Sequence, residues 1–159
     1  MSNYFQDNDD LQFYFQRGID WDAIVSATEQ GYTLEGGFTS AAEAVEFYRG
    51  VADMVGGFVA SEVAPRGARI DRFGTRLEGG EGVSAPEMDE LFETIKGLEL
   101  HGMCLPRELG GLNCPVVLYL VNTEMFARAD VSVMAHYGFH GGMAMAMLML
   151  SMLPPSYDP

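Results

Sequence analysis

Basic residues are scarce in this chain: 9 Lys and Arg stand against 23 Asp and Glu over 159 residues, a formal charge of −14. That deficit excludes nucleic acid and anionic membrane surfaces as partners, because both are gripped by clustered Lys and Arg. Cysteine is scarce too. Cys104 and Cys114 are too few for a disulfide framework and match no zinc-finger or ribbon spacing, so they read as ordinary thiols of a reducing cytosol. The acidic opening, Met1 to Asp10, lacks the basic stretch and following apolar stretch of a secretory signal. Long apolar runs are missing as well: the longest, Gly141 to Leu153, falls short of the roughly 18 to 20 residues a spanning helix needs. A cytoplasmic protein without a membrane span is the expectation. No internal repeat is present.

What remains is a globular composition, 48% hydrophobic and 20% charged, in a length that suits one domain. Asp20 is placed to cap a short helix beginning Trp21-Asp22. Ser40, with Glu43 three residues on, has capping-box spacing and opens a helix whose stripe is Val45, Tyr48, Ala52, Val55 and Val59. Pro65 ends or kinks that segment, and Asp71 to Val83 reads as a polar, Gly-rich connection. Ser84-Ala85-Pro86-Glu87 predicts a second capping box, with Met88, Leu91, Phe92 and Ile95 behind it and Gly97 as the stop. Leu98 to Asn113 is broken by Gly102, Pro106, Gly110 and Gly111 and reads as a structured turn. Pro115 starts a helix to about Ala129 with Val117, Leu120, Val121, Glu124 and Met125 along one side. Asp130 caps a last helix that passes His136 and His140, restarts after Gly141-Gly142 and stops at Pro154-Pro155. No strand is read. The expected fold class is all-α, an orthogonal or up-and-down bundle of five to six helices.

Chemistry is sparse in the pattern. His136 and His140 sit at i, i+4, the spacing of a metal pair, but no third His or carboxylate lies close in sequence, so no metal is assigned. Met143, Met145, Met147, Met149 and Met152 alternate in a way that points successive side chains to opposite sides of a helix, which favours a buried gap-filling helix over copper ligation. Gly110-Gly111 lacks the phosphate-loop pattern. Glu99, Glu108 and Glu124 have nothing beside them in sequence to make them bases, and no catalytic residue is assigned.

Gly97 to Leu112, GLELHGMCLPRELGGL, resembles the "G…G…P…GG" segment in the N-terminal helical domain of acyl-CoA dehydrogenases. Glu124 to Ser132, EMFARADVS, resembles that family's "E…aRaDaS" junction, and Glu62-Val63-Ala64-Pro65 with Asp71-Arg72 resembles an earlier "e…P…D" element. Asn113 stands where the family often has a further Gly after "GGL"; Asn tolerates similar backbone angles, so the turn is expected to survive. The opening from Tyr4 to Phe13 is similar to a bacterial subgroup that includes forms acting on 3-methylmercaptopropionyl-CoA.

The resemblance implies FAD-dependent α,β-dehydrogenation of an acyl-CoA thioester, in which a glutamate takes the α-proton and the flavin takes hydride. It also implies that the flavin is held mainly by a middle β-domain and a C-terminal helical bundle, which supplies the glutamate as well. Residues 1–38 are then an N-terminal extension with a short helix, 39–153 the family's helical domain, and 154–159 a divergent tail, as if the chain were cut short. By position in the family, Met134, Tyr137, His140 and Met143 would wall the acyl-chain pocket. The implied partners are an acyl-CoA and the missing domains, with a possible oligomer. The rival reading is a non-catalytic helical module, or companion subunit, that binds a dehydrogenase. Anchoring to a membrane by Met143 to Leu153 is opposed by the acidic charge.

Overall fold

A computed structural model describes residues 2–153; the stop at Pro154-Pro155 and the tail 154–159 lie outside the described residues. Its first element has no periodic signature in the sequence. Asn8 accepts from the Leu11 N–H at 3.3 Å and caps α1 (Asp9–Phe13), which runs into one π-helical turn, Tyr14–Gly18. Five residues are too few to show a helical period. The Asp20 carboxylate accepts from the Ala23 N–H and starts α2 (Trp21–Thr28). Phe5, Phe15, Trp21 and Tyr48 then form a chain of ring contacts with centroids 5.3, 4.9 and 5.6 Å apart. These rings join residues 2–38 to one continuous core with the later helices.

Ser40 caps α3 (Ala41–Phe58) through the Glu43 N–H, while the Glu43 carboxylate takes the Thr39 N–H and hydroxyl at 2.9 and 2.8 Å. Tyr48, Ala52, Val55 and Val59 are fully buried, and Val45 is half-buried at the edge. Pro65 does not end the helical path. A π-helical turn, Val59–Val63, precedes it, so Pro65 falls in the first turn of α4 (Ala64–Phe73), where a missing N–H costs nothing.

The connection after α4 is shorter than the sequence suggests and holds two strands that were not read. β1 (Arg76–Glu78) pairs antiparallel with β2 (Glu81–Val83) through Gly79 and Gly80, both at positive φ as a tight hairpin of this hand requires. The hairpin is solvent-exposed and leaves the all-α architecture intact.

One helix start differs from expectation for a local reason. α5 (Pro86–Gly97) is preceded by an extended Ala85, not capped by Ser84, because the residue before Pro is pushed out of the helical region. It ends at Gly97, as expected, although Gly97 itself stays helical and the residue in the left-handed conformation is Glu99, at φ 58°. α6 (Val116–Ala129) buries Leu118, Val121, Asn122, Met125 and Phe126; the face is rotated from the expected one, so Leu120 and Glu124 point to solvent. Asp130 accepts from the Ser132 and Val133 N–H groups and starts α7 (Val131–Ser151).

α7 continues without a break through Gly141-Gly142, contrary to the expected restart. Its methionines also overturn an expectation: Met143, Met147, Met149 and Met152 are all about two-thirds exposed rather than buried. The second half of α7 is largely exposed, and among the described residues, with the shorter α1 set aside, six helices of eight residues or more build the fold. No helix among the described residues is long and apolar enough to cross a membrane.

Candidate functional site

The sequence from Leu98 to Asn113 folds into two 3-10 turns, Leu100–Gly102, which packs against α7, and Arg107–Leu109. Gly102 O accepts from Leu105 N–H at 2.9 Å, and Pro106 O accepts from both Leu109 and Gly111 N–H. Gly110 takes φ 81°, and at Gly111 a side chain would run into the Leu105 carbonyl. The loop closes with Leu105 O accepting from Asn113 N–H and Met103 O from Cys114 N–H, both at 2.9 Å. Gly102, Pro106, Gly110 and Gly111 thus meet in one hydrogen-bonded turn.

Between this turn, α6 and the middle of α7 lies an apolar cavity of about 240 Å³, lined by Cys104, Leu105, Tyr119, Leu120, Ala144 and Met145 among others. Gly141 makes it possible. The Tyr119 ring lies where a side chain at Gly141 would be, and its hydroxyl donates across α7 to the carbonyls of Tyr137 and Gly138 at 2.9 and 3.1 Å. Burial pushes the Tyr119 hydroxyl up to about 12 and the Cys104 thiol up to about 11, so both are neutral at ordinary pH. His101 lines the same cavity and is held below the usual imidazole range, first by burial and then by the neighbouring His140. A neutral, apolar wall is the result. It fits hydrocarbon.

None of the four residues placed by family position is in the lining of this cavity. Tyr137 is fully buried and backs it, its ring 4.8 Å from that of Tyr119 and its hydroxyl against Met103 Sδ at 3.5 Å. His140 is exposed and faces His101, ring centroids 4.8 Å apart. Met143 is exposed one turn further on, and Met134 is half-buried against the core. The lining residues Cys104, Tyr119 and Met145 went unread. Their one legible signal was Gly141, read as a helix interruption but in fact the space for an aromatic ring.

A flavin dinucleotide does not fit the residues present. The cavity is below the roughly 300 to 1,000 Å³ of a complete small-molecule site. Of its polar groups, Tyr119 OH is already engaged and His101 is held toward its neutral form, which leaves nothing to hold a pyrophosphate.

The family model described as "Acyl-CoA dehydrogenase, N-terminal domain" matches residues 46–151, most of the chain. Isovaleryl-CoA dehydrogenase, mitochondrial, from Arabidopsis thaliana is 28% identical over 96 residues. That alignment takes in 60% of this chain and spans 21% of the relative's length.

Proposed function

The chain belongs to the acyl-CoA dehydrogenase family through its N-terminal helical domain, and from that premise we propose that it walls the acyl end of a dehydrogenase's substrate pocket. The reaction in this reading is FAD-dependent α,β-dehydrogenation of an acyl-CoA thioester. The observation that carries the reading is the neutral apolar cavity between the Gly/Pro turn, α6 and α7. Tyr119, Leu120 and Met145 supply the wall, Tyr137 and His140 support it from behind, and Met143 flanks it on the exposed side. Residues 39–153 serve as the functional unit and 1–38 as the extension that braces it.

A second surface supports the need for a partner. Phe139, Met143, Met147 and Leu150 on α7, with Val116 and Leu120 on α6, are exposed large apolar side chains, more than a lone soluble domain keeps without covering. The flavin-holding part of a dehydrogenase, in the same chain or in a companion subunit, is the proposed cover. It would bring the flavin and the base that this domain's residues do not supply.

The purified 159-residue chain, given FAD, an electron-accepting dye and a panel of acyl-CoA thioesters, should show no turnover. A fluorescent acyl-CoA should still bind it, and Ala144→Phe, which fills the cavity, should weaken that binding at least tenfold. Turnover by this chain alone, or binding indifferent to Ala144→Phe in a folded variant, would overturn the proposal.

A further inference from the structure

All three histidines of the chain gather at one place, which their sequence positions conceal. His136 and His140 come from α7 and His101 from the turn, and each ring lies within 6 Å of the Phe92 ring centre, at 5.5, 5.4 and 5.9 Å. The third histidine that the i, i+4 pair lacks in sequence is delivered by the fold.

Two of the three have a nitrogen to offer. His140 Nδ1 lies 2.8 Å from the His136 carbonyl oxygen. A carbonyl only accepts, so Nδ1 carries the proton and the Nε2 lone pair of the neutral ring is free. A second ring nitrogen tied to a backbone carbonyl is the usual support of a metal-ligating imidazole. His101 Nε2 is buried and has no hydrogen-bond partner. The rings of His101 and His140 have centroids 4.8 Å apart. Two imidazoles sharing one ion at nitrogen distances of roughly 2.0 to 2.1 Å and a near-tetrahedral angle have ring centres about 5 Å apart.

The donor set decides which ion. Among the described residues no three His, Cys, Asp or Glu side chains are arranged to hold one ion, so Zn(II), which wants four such ligands, and oxygen-seeking cations are poorly served. The next donor on the same face of α7 is a thioether: Met143 follows His140 at i+3 and is exposed. Two imidazoles and a thioether suit a soft ion content with two or three ligands. We infer that His101 and His140, completed by Met143, form a binding site for a soft monovalent cation, Cu(I) or its redox-inert counterpart Ag(I).

The test uses the purified chain, with Ag(I) nitrate as the first probe and Cu(I) under anaerobic conditions as the second. The ring protons of the three histidines are followed by NMR. Saturable binding of one ion per chain should move the His101 and His140 signals more than that of His136, and Zn(II) should not reproduce it. His140→Gln, an exposed position that leaves the fold intact by circular dichroism, should weaken binding at least tenfold, and Met143→Leu should weaken it severalfold. The inference fails if no saturable binding occurs. It also fails if ions bind without moving the His101 and His140 signals, or equally well in His140→Gln, since the thiols or the other methionines would then hold them.

Discussion

Arg107 holds both carboxylate oxygens of Glu29, at 2.8 and 3.0 Å, across 78 residues of chain, and Glu29 is wholly buried while the Arg107 side chain keeps 26% of its surface in contact with solvent. A two-pronged pair of this kind fixes orientation as well as contributing energy. It ties the end of α2 to the turn that lines the apolar cavity, and Phe38 stacks beneath the guanidinium with its ring centre 5.2 Å away. The burial is lopsided, so the two halves of the pair are not equivalent. Arg107→Met leaves a carboxylate with no water and no counter-ion and should cost about 3 to 5 kcal/mol. Glu29→Gln leaves a cation that still reaches solvent and should cost less. Urea denaturation of both variants checks the order; equal losses would mean that the pair is not buried in this way.

Asn113 closes the same turn from the other side. It sits at φ 52°, and its amide donates to the Thr28 carbonyl at 3.2 Å, just before Glu29. Conformation and hydrogen bond pull on different substitutions. Asn113→Gly relieves the left-handed backbone but loses the amide, so its stability should stay within about 1 kcal/mol of the native chain. Asn113→Ala loses both advantages and should fall by about 1 to 2 kcal/mol. Thermal unfolding of the two variants decides it, and an Ala variant as stable as the Gly variant would remove the backbone argument.

The helices were legible where the signal is local. Asp20, Ser40 and Asp130 each cap the helix they were read to cap, because an N-cap is a contact over three residues. The stripe through Tyr48, Ala52, Val55 and Val59 was legible because a period of 3.6 is written into spacing. The hairpin from Arg76 to Val83 was not, since three-residue exposed strands carry no alternation to read. The face of α6 was misjudged because Val116, Val117, Leu118, Leu120 and Val121 make it apolar nearly all round, and only packing chooses which side is buried. At the site, the Gly/Pro turn announced itself through its glycines. The cavity did not, because Tyr119, Cys104 and Met145 come from three separated segments. The grouping of the histidines is likewise a long-range fact, with His101 brought to His140 by the turn.

Gly141 and Gly142 offer a paired test of the cavity. A methyl group at Gly142 meets nothing within 4 Å, and Ala is the better helix former, so Gly142→Ala should stabilise α7 by up to about 1 kcal/mol. At Gly141 the same methyl group collides with the Tyr119 ring, which its two carbonyl bonds hold in place. Gly141→Ala should therefore destabilise by about 1 to 3 kcal/mol as Tyr119 is forced out of the wall. The same variant should also lose affinity for a fluorescent acyl-CoA, whereas Gly142→Ala should not. Two stabilised variants would mean that Tyr119 does not occupy the space beside Gly141.

Thiol chemistry gives the pH dependence. Burial pushes Cys104 up to about 11; burial, and then the neighbouring Cys104, push Cys114 up to about 12. An unfolded chain gives up its thiol protons near the ordinary value of roughly 8.5, so above that pH the native state binds more protons than the unfolded one. Stability from these two groups is complete below about pH 8 and is lost as pH rises through 9 to 11, the direction linkage requires for a raised folded value. The denaturation midpoint should accordingly fall steadily between pH 8 and 10. Because the thiolate is the nucleophile, iodoacetamide at pH 8 should label the native chain far more slowly than the chain in urea, with Cys104 ahead of the more deeply buried Cys114. Rapid labelling of both thiols in the native chain at pH 8 would show that the thiols are not buried, and the neutral, apolar surface proposed for the acyl end of the pocket would go with it.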